Sequence, residues 1–424
     1  MKAEIVSTGT ELLLGETINT SAHYVAGKLS LLGIEVDYHT TVGDNPERLE
    51  QVLRQAIERS DLVVTTGGLG PTVDDLTKEL VAKVMDIEMV LDPSSLEQIK
   101  QFFSRRKAPM PKNNEKQAYF PKDSKILPNP IGTAPGAMIE KNGKTVIILP
   151  GPPFEMAPMF ENYVWTELQH TLKPGTERMH ERVLKVFGMV ESAIEEVLVD
   201  LMGLPNVSIA LLAKRAEMHI RLVARSSDKT SGAAEKVLNG AEEDIRRRLG
   251  NKVFGRDQET MLGIIGQLLK DEKYTIATAE SCTGGLLGAA FTQEPGSSEF
   301  YLGGVVSYSN ALKKGLLGVS EEALTKYGVV SEEVAKEMAQ GIRTKAGSDL
   351  ALSTTGIAGP DGGSHEKPIG LVYIGLATPE GVSAEKIQLY GERESVRQLT
   401  VQAALNKVRL HMLNSERRIK LGDG

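Results

Sequence analysis

The sequence is short of several residues that announce common chemistries. One cysteine in 424 residues excludes an intramolecular disulfide framework and suits a reducing cytoplasm. Seven histidines occur, none in an HExxH or similar spacing, so there is no zinc signature. No apolar run approaches the roughly 20 residues that a membrane span requires, and no signal peptide is read before the first strand. Positive charge is also in deficit. The 49 Lys and Arg against 56 Asp and Glu leave a formal charge of −7, which argues against bulk binding to a nucleic-acid backbone. A cytoplasmic protein without membrane or nucleic-acid partners is expected. What is abundant agrees with this: 42 glycines spread over many turns and 25% charged residues fit a soluble α/β enzyme. A chain of this length holds about two to four domains.

Strand and helix patterns alternate quickly over residues 1–170. Residues 3–8 read as a buried strand ended by Gly9, with helical spacing from there to Gly33. Residues 34–42 and 61–66 give two more strands, and Asp44-Asn45-Pro46 opens a helix between them. Such alternation predicts a parallel sheet wrapped by helices, with function at the carboxyl ends of its strands. There the third strand runs into GGLGPTVDDLT, residues 67–77. Gly67, Gly68 and Gly70 let the backbone approach a phosphate, and successive N–H groups form an anion nest. An ordinary turn is the alternative. Asp74 and Asp75 follow, where a helix carrying Leu76, Leu80, Val81 and Val84 is expected to start. Two carboxylates beside a phosphate nest can hold a hard divalent cation, which would supply positive charge that this stretch lacks. Helix capping is their other role. Metal binding is preferred, with Asp75 favoured as the residue further into the helix. Polar loops at 112–117, NPIGTAPG (129–136) and PGPPFEM (150–156) crowd the remaining strand ends.

A linker at Lys173-Pro174-Gly175 leads into a βαββαβ order over residues 171–255, with strands at 182–187, 207–212, 218–223 and 252–254. This predicts a small α+β module, split-βαβ or KH-like, acting in linkage and dimerisation. It lacks a clear GXXG clamp for nucleic acid.

The most pointed chemistry lies at residues 274–287, YTIATAESCTGGLL. A β-branched run enters a tight turn, 280–285, and then a small-residue helix. Such a turn lifts one side chain from the sheet edge and aims the first free helix N–H groups at what it attacks. Ser281 is therefore a candidate nucleophile beside an oxyanion corner near Thr283 and Gly284. Capping by Ser281 or Thr283 is the alternative. No histidine lies nearby in a recognisable motif. A desolvated lysine can serve as base because burial lowers its pKa. Lys313, with Tyr308, lies where the strand 303–308 passes into its helix; a solvent-exposed lysine is the alternative. The strand 350–355 then enters GIAGPDGG (356–363), strands at 371–377 and 384–389 complete the sheet, and a helix closes it over 394–413. The chain after Ser415 is expected to fray.

GTELLLG, TTGGLGPTVDDLT, NPIGTAPG and LPGPPFEM together resemble the amino-terminal domain of the CinA family, the competence/damage-inducible proteins. AESCTGG, VVSYSNALK and TTGIAGPDGG…KPIGLVYIG resemble the family's carboxy-terminal domain, a nicotinamide-nucleotide amidase module. For the first domain the resemblance implies a molybdopterin-binding-like fold and metal-dependent cleavage of ADP-ribose to AMP and ribose 5-phosphate. The substrate contacts expected there are Thr10, Glu11, Gly67, Gly68, Gly70, Asn113, Gly132 and Thr133. A divalent metal of the Mg, Co or Mn type, with potassium as an accompanying ion, is expected on Asp74 and Asp75. For the last domain the resemblance places the family's serine, tyrosine and lysine on Ser281, Tyr308 and Lys313. It implies hydrolysis of nicotinamide mononucleotide to ammonia and nicotinic acid mononucleotide, with no cofactor. Thr283, Gly284, Thr355, Gly356, Gly359, Asp361, Gly362 and Arg397 are the substrate contacts expected there.

The expected fold class is thus α/β. Two three-layer domains with mostly parallel sheets (1–170 and 256–415) are joined by the module of 171–255 and followed by a flexible tail, 416–424. Small nucleotides are the expected substrates and a homodimer the expected assembly. Two rivals stand beside the enzyme: a nucleotide- or pterin-binding regulatory protein with vestigial sites, and a DNA-uptake or repair factor.

Overall fold

The β-branched runs near the amino terminus form strands whose alternate side chains enter two different cores. In the computed structural model, which describes residues 1–172, 178–226 and 232–421, Ala3 and Ile5 of β1 (Lys2–Thr8) join one apolar layer and Val6 joins another. A period of two along a strand requires this split. After β2 (Glu35–Val42), β3 (Leu62–Thr66) repeats it, with Leu62 and Val64 on one side and Val63 on the other. Helix Thr20–Leu31 packs on the first face and helix Pro46–Arg59 on the second, giving three layers. A short ribbon, β4 (Met89–Leu91) with β5 (Tyr119–Pro121), stands apart from the main sheet. With β6 (Lys125–Leu127), β7 (Gly136–Lys141) and β8 (Lys144–Leu149), the main order is β2-β1-β3-β8-β7-β6. The first four strands are parallel, β7 runs antiparallel to β8, and β6 runs antiparallel to β7. The helical spacing from Gly9 to Gly33 is broken into Thr10–Leu13 and Thr20–Leu31. Gly15 has φ +73, and Asn19 caps the second helix by accepting the Ala22 N–H at 3.0 Å.

The chain divides into two units, Met1–His180 with Arg225–Ala234, and Glu181–Ala224 with Glu235–Gly424. The linker expected at Lys173-Pro174-Gly175 lies outside the described residues. The middle sheet has the βαββαβ order read from the sequence. Its strands β9 (Arg178–Val186), β10 (Val207–Ala213), β11 (Met218–Ser226) and β12 (Val253–Arg256) lie in the order β10-β11-β9-β12.

The last sheet contains β13 (Ile276–Glu280), β14 (Tyr301–Val306), β15 (Leu350–Gly356), β16 (Leu371–Thr378) and β17 (Gly381–Gln388), ordered β14-β13-β15-β16-β17. β13 is flanked by parallel neighbours, whereas β15–β16 and β16–β17 are antiparallel. The reason is local: no helix lies between β15 and β16, and Pro379-Glu380 turns β16 directly into β17. Helices Met261–Asp271, Leu286–Gln293 and Arg393–Leu421 share one core, and helix Glu332–Ala346 contributes to the other. Phe254 of β12 enters the first of these cores, and Arg409 of the closing helix donates to the Asn251 carbonyl at 2.6 Å. That helix runs on to Leu421, as SERRIKL contains no Gly or Pro to stop it. Residues 422–424 lie outside the described chain. Among the described residues no helix is long and apolar enough to cross a membrane.

Candidate functional site

Register brings three strand ends level. The Ser281 N–H donates to the Thr354 carbonyl at 2.9 Å, and the Ser307 N–H donates to the Glu280 carbonyl at 2.8 Å. Each bond extends the parallel ladder one residue beyond β13 or β14. The helix Asn310–Leu317, capped by Ser309, then sends Lys313 back under the turn. Lys313 Nζ donates to Ser281 Oγ at 3.0 Å, to the Ser307 carbonyl at 2.7 Å and to the Tyr308 carbonyl at 3.4 Å. It is 2% exposed and has no carboxylate partner among the described residues. Burial holds its pKa below the ordinary 10.5. The solvent-exposed alternative for this lysine is thereby removed.

The turn differs from expectation in how its amides are used. Glu280, 2% exposed, accepts the N–H groups of Gly285 (2.9 Å), Leu287 (3.0 Å) and Gly288 (2.7 Å). The first amides of helix Leu286–Gln293 are therefore spent on a buried carboxylate instead of being free. Gly284 N–H donates back to the Ser281 carbonyl at 3.1 Å, so Gly284 is not an oxyanion donor here. The N–H groups of Cys282 and Thr283 are not claimed by Glu280. Neither Ser281 nor Thr283 caps the helix: its N-cap is Gly285, and Thr283 Oγ1 bonds Thr354 Oγ1 at 2.7 Å. Cys282 is 6% exposed, and burial pushes its thiol up to about 11.

The remaining expected contacts divide. Tyr308 offers Lys313 its carbonyl, whereas its exposed phenol oxygen takes a hydrogen bond from Arg393 at 3.3 Å and reaches neither Ser281 nor Lys313. A proton relay through that phenol is not formed. Thr355 is buried and donates its hydroxyl to the Val329 carbonyl at 2.8 Å, so it is spent inside the fold. Gly356 is held by packing, since a Cβ there would lie 2.8 Å from the Leu371 carbonyl. Gly359 carbonyl accepts from Arg393 at 2.6 Å, and Asp361 and Gly362 are exposed in the loop beyond. Arg397 donates to the Thr283 carbonyl at 3.0 Å, so it braces the turn. Arg393 and Glu280 were not singled out from the sequence. A charged residue ending the apolar strand IATAE was a signal for the second; the first had none.

In the amino-terminal unit Gly67 N–H donates to Leu149 at 3.0 Å, while the N–H groups of Gly68, Leu69 and Gly70 have no protein partner among the described residues. Gly67 has φ +99, and a Cβ on it would strike the Thr8 carbonyl at 2.3 Å, so only glycine fits. Asp74 and Asp75 precede the helix, which starts at Thr77. Asp75 accepts the N–H (3.0 Å) and hydroxyl (2.5 Å) of Thr72, and Asp74 accepts the same hydroxyl. This bond holds the Asp74 carboxyl below its usual range. The preference for Asp75 as the residue inside the helix is therefore corrected: the pair forms its own turn. Lys116 joins them, donating to the Thr72 and Asp75 carbonyls at 2.6 Å each.

Other expected contacts there are occupied or displaced. Thr10 is spent on Asp44 through its N–H and hydroxyl, both at 2.8 Å. The Glu11 carboxylate curls over Gly9, where a Cβ would meet it at 2.5 Å. Asn113 is exposed; its neighbour Asn114 is buried and donates to Gln117 Oε1 at 2.8 Å, and Gln117 donates to the Leu69 carbonyl at 3.0 Å. Lys78, buried over Phe120, donates to the Gln117 carbonyl at 2.6 Å, and burial brings its pKa down to about 7. Gly132 N–H is held by Asn129 at 2.8 Å, and Thr133 is half-buried beside it. Among the described residues no three His, Cys, Asp or Glu side chains gather as a metal cluster. Two carboxylates meeting at one hydroxyl, beside unclaimed amides, nevertheless suit a cation that keeps water and takes phosphate oxygens, as magnesium does.

Residues 4–170 match a family described as "Probable molybdopterin binding domain", residues 181–255 the "Damage-inducible protein CinA KH domain" and residues 258–412 the "CinA C-terminal domain". A relative from Thermoanaerobacter sp. (strain X514), bearing a competence-damage inducible name, is 47% identical over 97% of this chain and 99% of its own. A "CinA-like protein" of Dictyoglomus thermophilum is 46% identical over 98% and 100%. A solved CinA structure from Thermoplasma acidophilum, described as of unknown function, is 36% identical and covers 39% of this chain and 97% of that one, with a TM-score of 0.37.

Proposed function

Since the chain belongs to the CinA family, we propose that it deamidates nicotinamide mononucleotide at Ser281 and cleaves ADP-ribose at the Gly67–Thr77 loop. The observation that carries the first activity is the 3.0 Å bond from buried Lys313 Nζ to Ser281 Oγ. Ser281 Oγ attacks the amide carbon as its proton passes to neutral Lys313. The oxyanion forms at the 281–284 turn, where the loss of a backbone donor would typically cost about 3 kcal/mol. Collapse expels ammonia, with Lys313 returning the proton to the leaving nitrogen. Water then gives a proton to Lys313, attacks the ester, and frees Ser281 and nicotinic acid mononucleotide. The Tyr308 phenol, outside this proton path, offers a flat rim for the pyridine ring. The middle module is read as the linking and dimerisation element.

Three unclaimed amides, the Asp74–Asp75 turn and Lys116 support the second activity. A divalent ion held by the two carboxylates would supply positive charge at the phosphoryl oxygens. The test has two arms. Ammonia release from nicotinamide mononucleotide is expected for the wild type and to survive EDTA, whereas ADP-ribose hydrolysis is expected to stop in EDTA. Asp74→Asn is expected to raise the metal concentration needed for half-maximal ADP-ribose cleavage and leave deamidation unchanged. Folded protein that releases no ammonia would favour the regulatory reading with vestigial sites. Deamidation that stops in EDTA would remove the serine–lysine mechanism.

A further inference from the structure

The amides of the Gly67–Gly70 loop are free because its carbonyls are held from behind. Thr77 Oγ1 donates to the Gly67 carbonyl at 2.9 Å, and the Thr77 N–H donates to the Gly68 carbonyl at 3.2 Å. Gln117 Nε2 donates to the Leu69 carbonyl at 3.0 Å. All three peptides are trans, and in a trans peptide the N–H of the next residue points opposite to the carbonyl. Tying the carbonyls to buried Thr77 and Gln117 therefore turns the N–H groups of Gly68, Leu69 and Gly70 away from those donors. Successive amides left facing outward are what an anion takes. The last of them lies beside the acidic turn, since a Cβ on Gly70 would strike the Asp75 carboxylate.

Thr77 is local to the loop, whereas Gln117 reaches it from far along the chain and is itself held by a further layer. Gln117 is 1% exposed. Its Oε1 accepts from Asn114 Nδ2 at 2.8 Å, which decides that the nitrogen end of the amide faces Leu69. Its backbone carbonyl accepts from Lys78 Nζ at 2.6 Å. Lys78 is buried over the Phe120 ring and has no carboxylate partner among the described residues, so this bond is its main compensation for leaving water. We propose, resting on the reading of this loop as the ADP-ribose site, that Gln117 is a positioning residue for that reaction. It locks the Leu69–Gly70 peptide with its N–H toward the substrate's pyrophosphate before substrate arrives, and Asn114 fixes the sense of its amide. Gln117 acts on the phosphate only through Gly70.

The test uses the full-length chain, with magnesium present and ADP as the probe. Gln117→Met keeps the side chain's length and removes the donor. Asn114→Asp keeps the shape and reverses the bond, so that the Gln117 oxygen is turned toward the Leu69 carbonyl. ADP is expected to slow amide hydrogen exchange at residues 68–70 of the wild type, and each variant should need at least tenfold more ADP for half of that protection. KM for ADP-ribose should rise by a similar factor while kcat changes less. Partial unfolding would lower the active fraction, and hence kcat, without that split. If Gln117→Met does not fold, Asn114→Asp alone decides. ADP requirement and KM within twofold of wild type in the folded variants, a lower kcat at unchanged KM, or wild-type amides that ADP does not protect would overturn the proposal. Protection that is present in the wild type and weakened in the variants, in a protein that leaves ADP-ribose intact, would support the positioning role and overturn only the cleavage reading.

Discussion

At the residue scale, two nucleophiles stand side by side in sequence and burial separates them. Cys282 has the intrinsically better atom, but a thiol held up near 11 is almost entirely protonated at neutral pH. Ser281 has the worse atom and a lysine 3.0 Å away. Ser281→Ala is therefore expected to reduce deamidation by about three orders of magnitude or more, whereas Cys282→Ala keeps most of it; a kcat comparison on nicotinamide mononucleotide decides, and the reverse result would sink the serine assignment. Lys313 sets a pH dependence whose sign is fixed by its depressed pKa. Only the neutral amine accepts a proton, so kcat/KM should rise with pH along a limb centred below 10.5. The fold also gains stability from this group as pH rises between its folded value and 10.5, because the cost of burying the ammonium is then relieved. A profile for Lys313→Arg that retained the same limb would assign it to another group.

At the scale of elements, the strand-to-helix turn is fixed by its own carboxylate. Glu280→Gln keeps the shape but leaves one N–H group facing an amide nitrogen. The amides of Gly285, Leu287 and Gly288 should exchange about tenfold faster or more, since an unsatisfied buried group costs about 1–3 kcal/mol. Deamidation should fall with them; unchanged exchange at those three positions would show the capping bonds to be dispensable. Elements of this kind were largely legible in the sequence. Period-two strands, the glycine turns after Thr66 and Glu280, and the helix opened by Asp44-Asn45-Pro46 all rest on neighbours within a few residues. What was not legible were partners that the fold alone brings together. Arg393 reaches back to Tyr308, Lys116 to Asp75, and Asp44 to Thr10. Asn113 stays exposed in the short helix Lys112–Ala118, and the sequence did not show that its neighbour Asn114 turns inward to Gln117.

At the scale of the whole molecule, the carboxy-terminal sheet has a core of its own, and a fragment of residues 256–424 is expected to fold and deamidate. It would do so at a disadvantage that the sequence did not reveal. Phe254 fills part of that core, and its loss should cost about 2 kcal/mol, visible as an earlier denaturation midpoint than for a fragment of residues 250–424. If the shorter fragment is folded but inert, while the longer one works, the site depends on what lies just before it. The closing helix says how it would. Arg397 grips the carbonyl of Thr283, and Arg409 grips that of Asn251. At 1.5 Å per residue the two grips stand about 18 Å apart along one stiff rod. To a mechanic this is a tie-rod. Cutting the chain after Asn251 releases its far end, and the slack is taken up at the nucleophile.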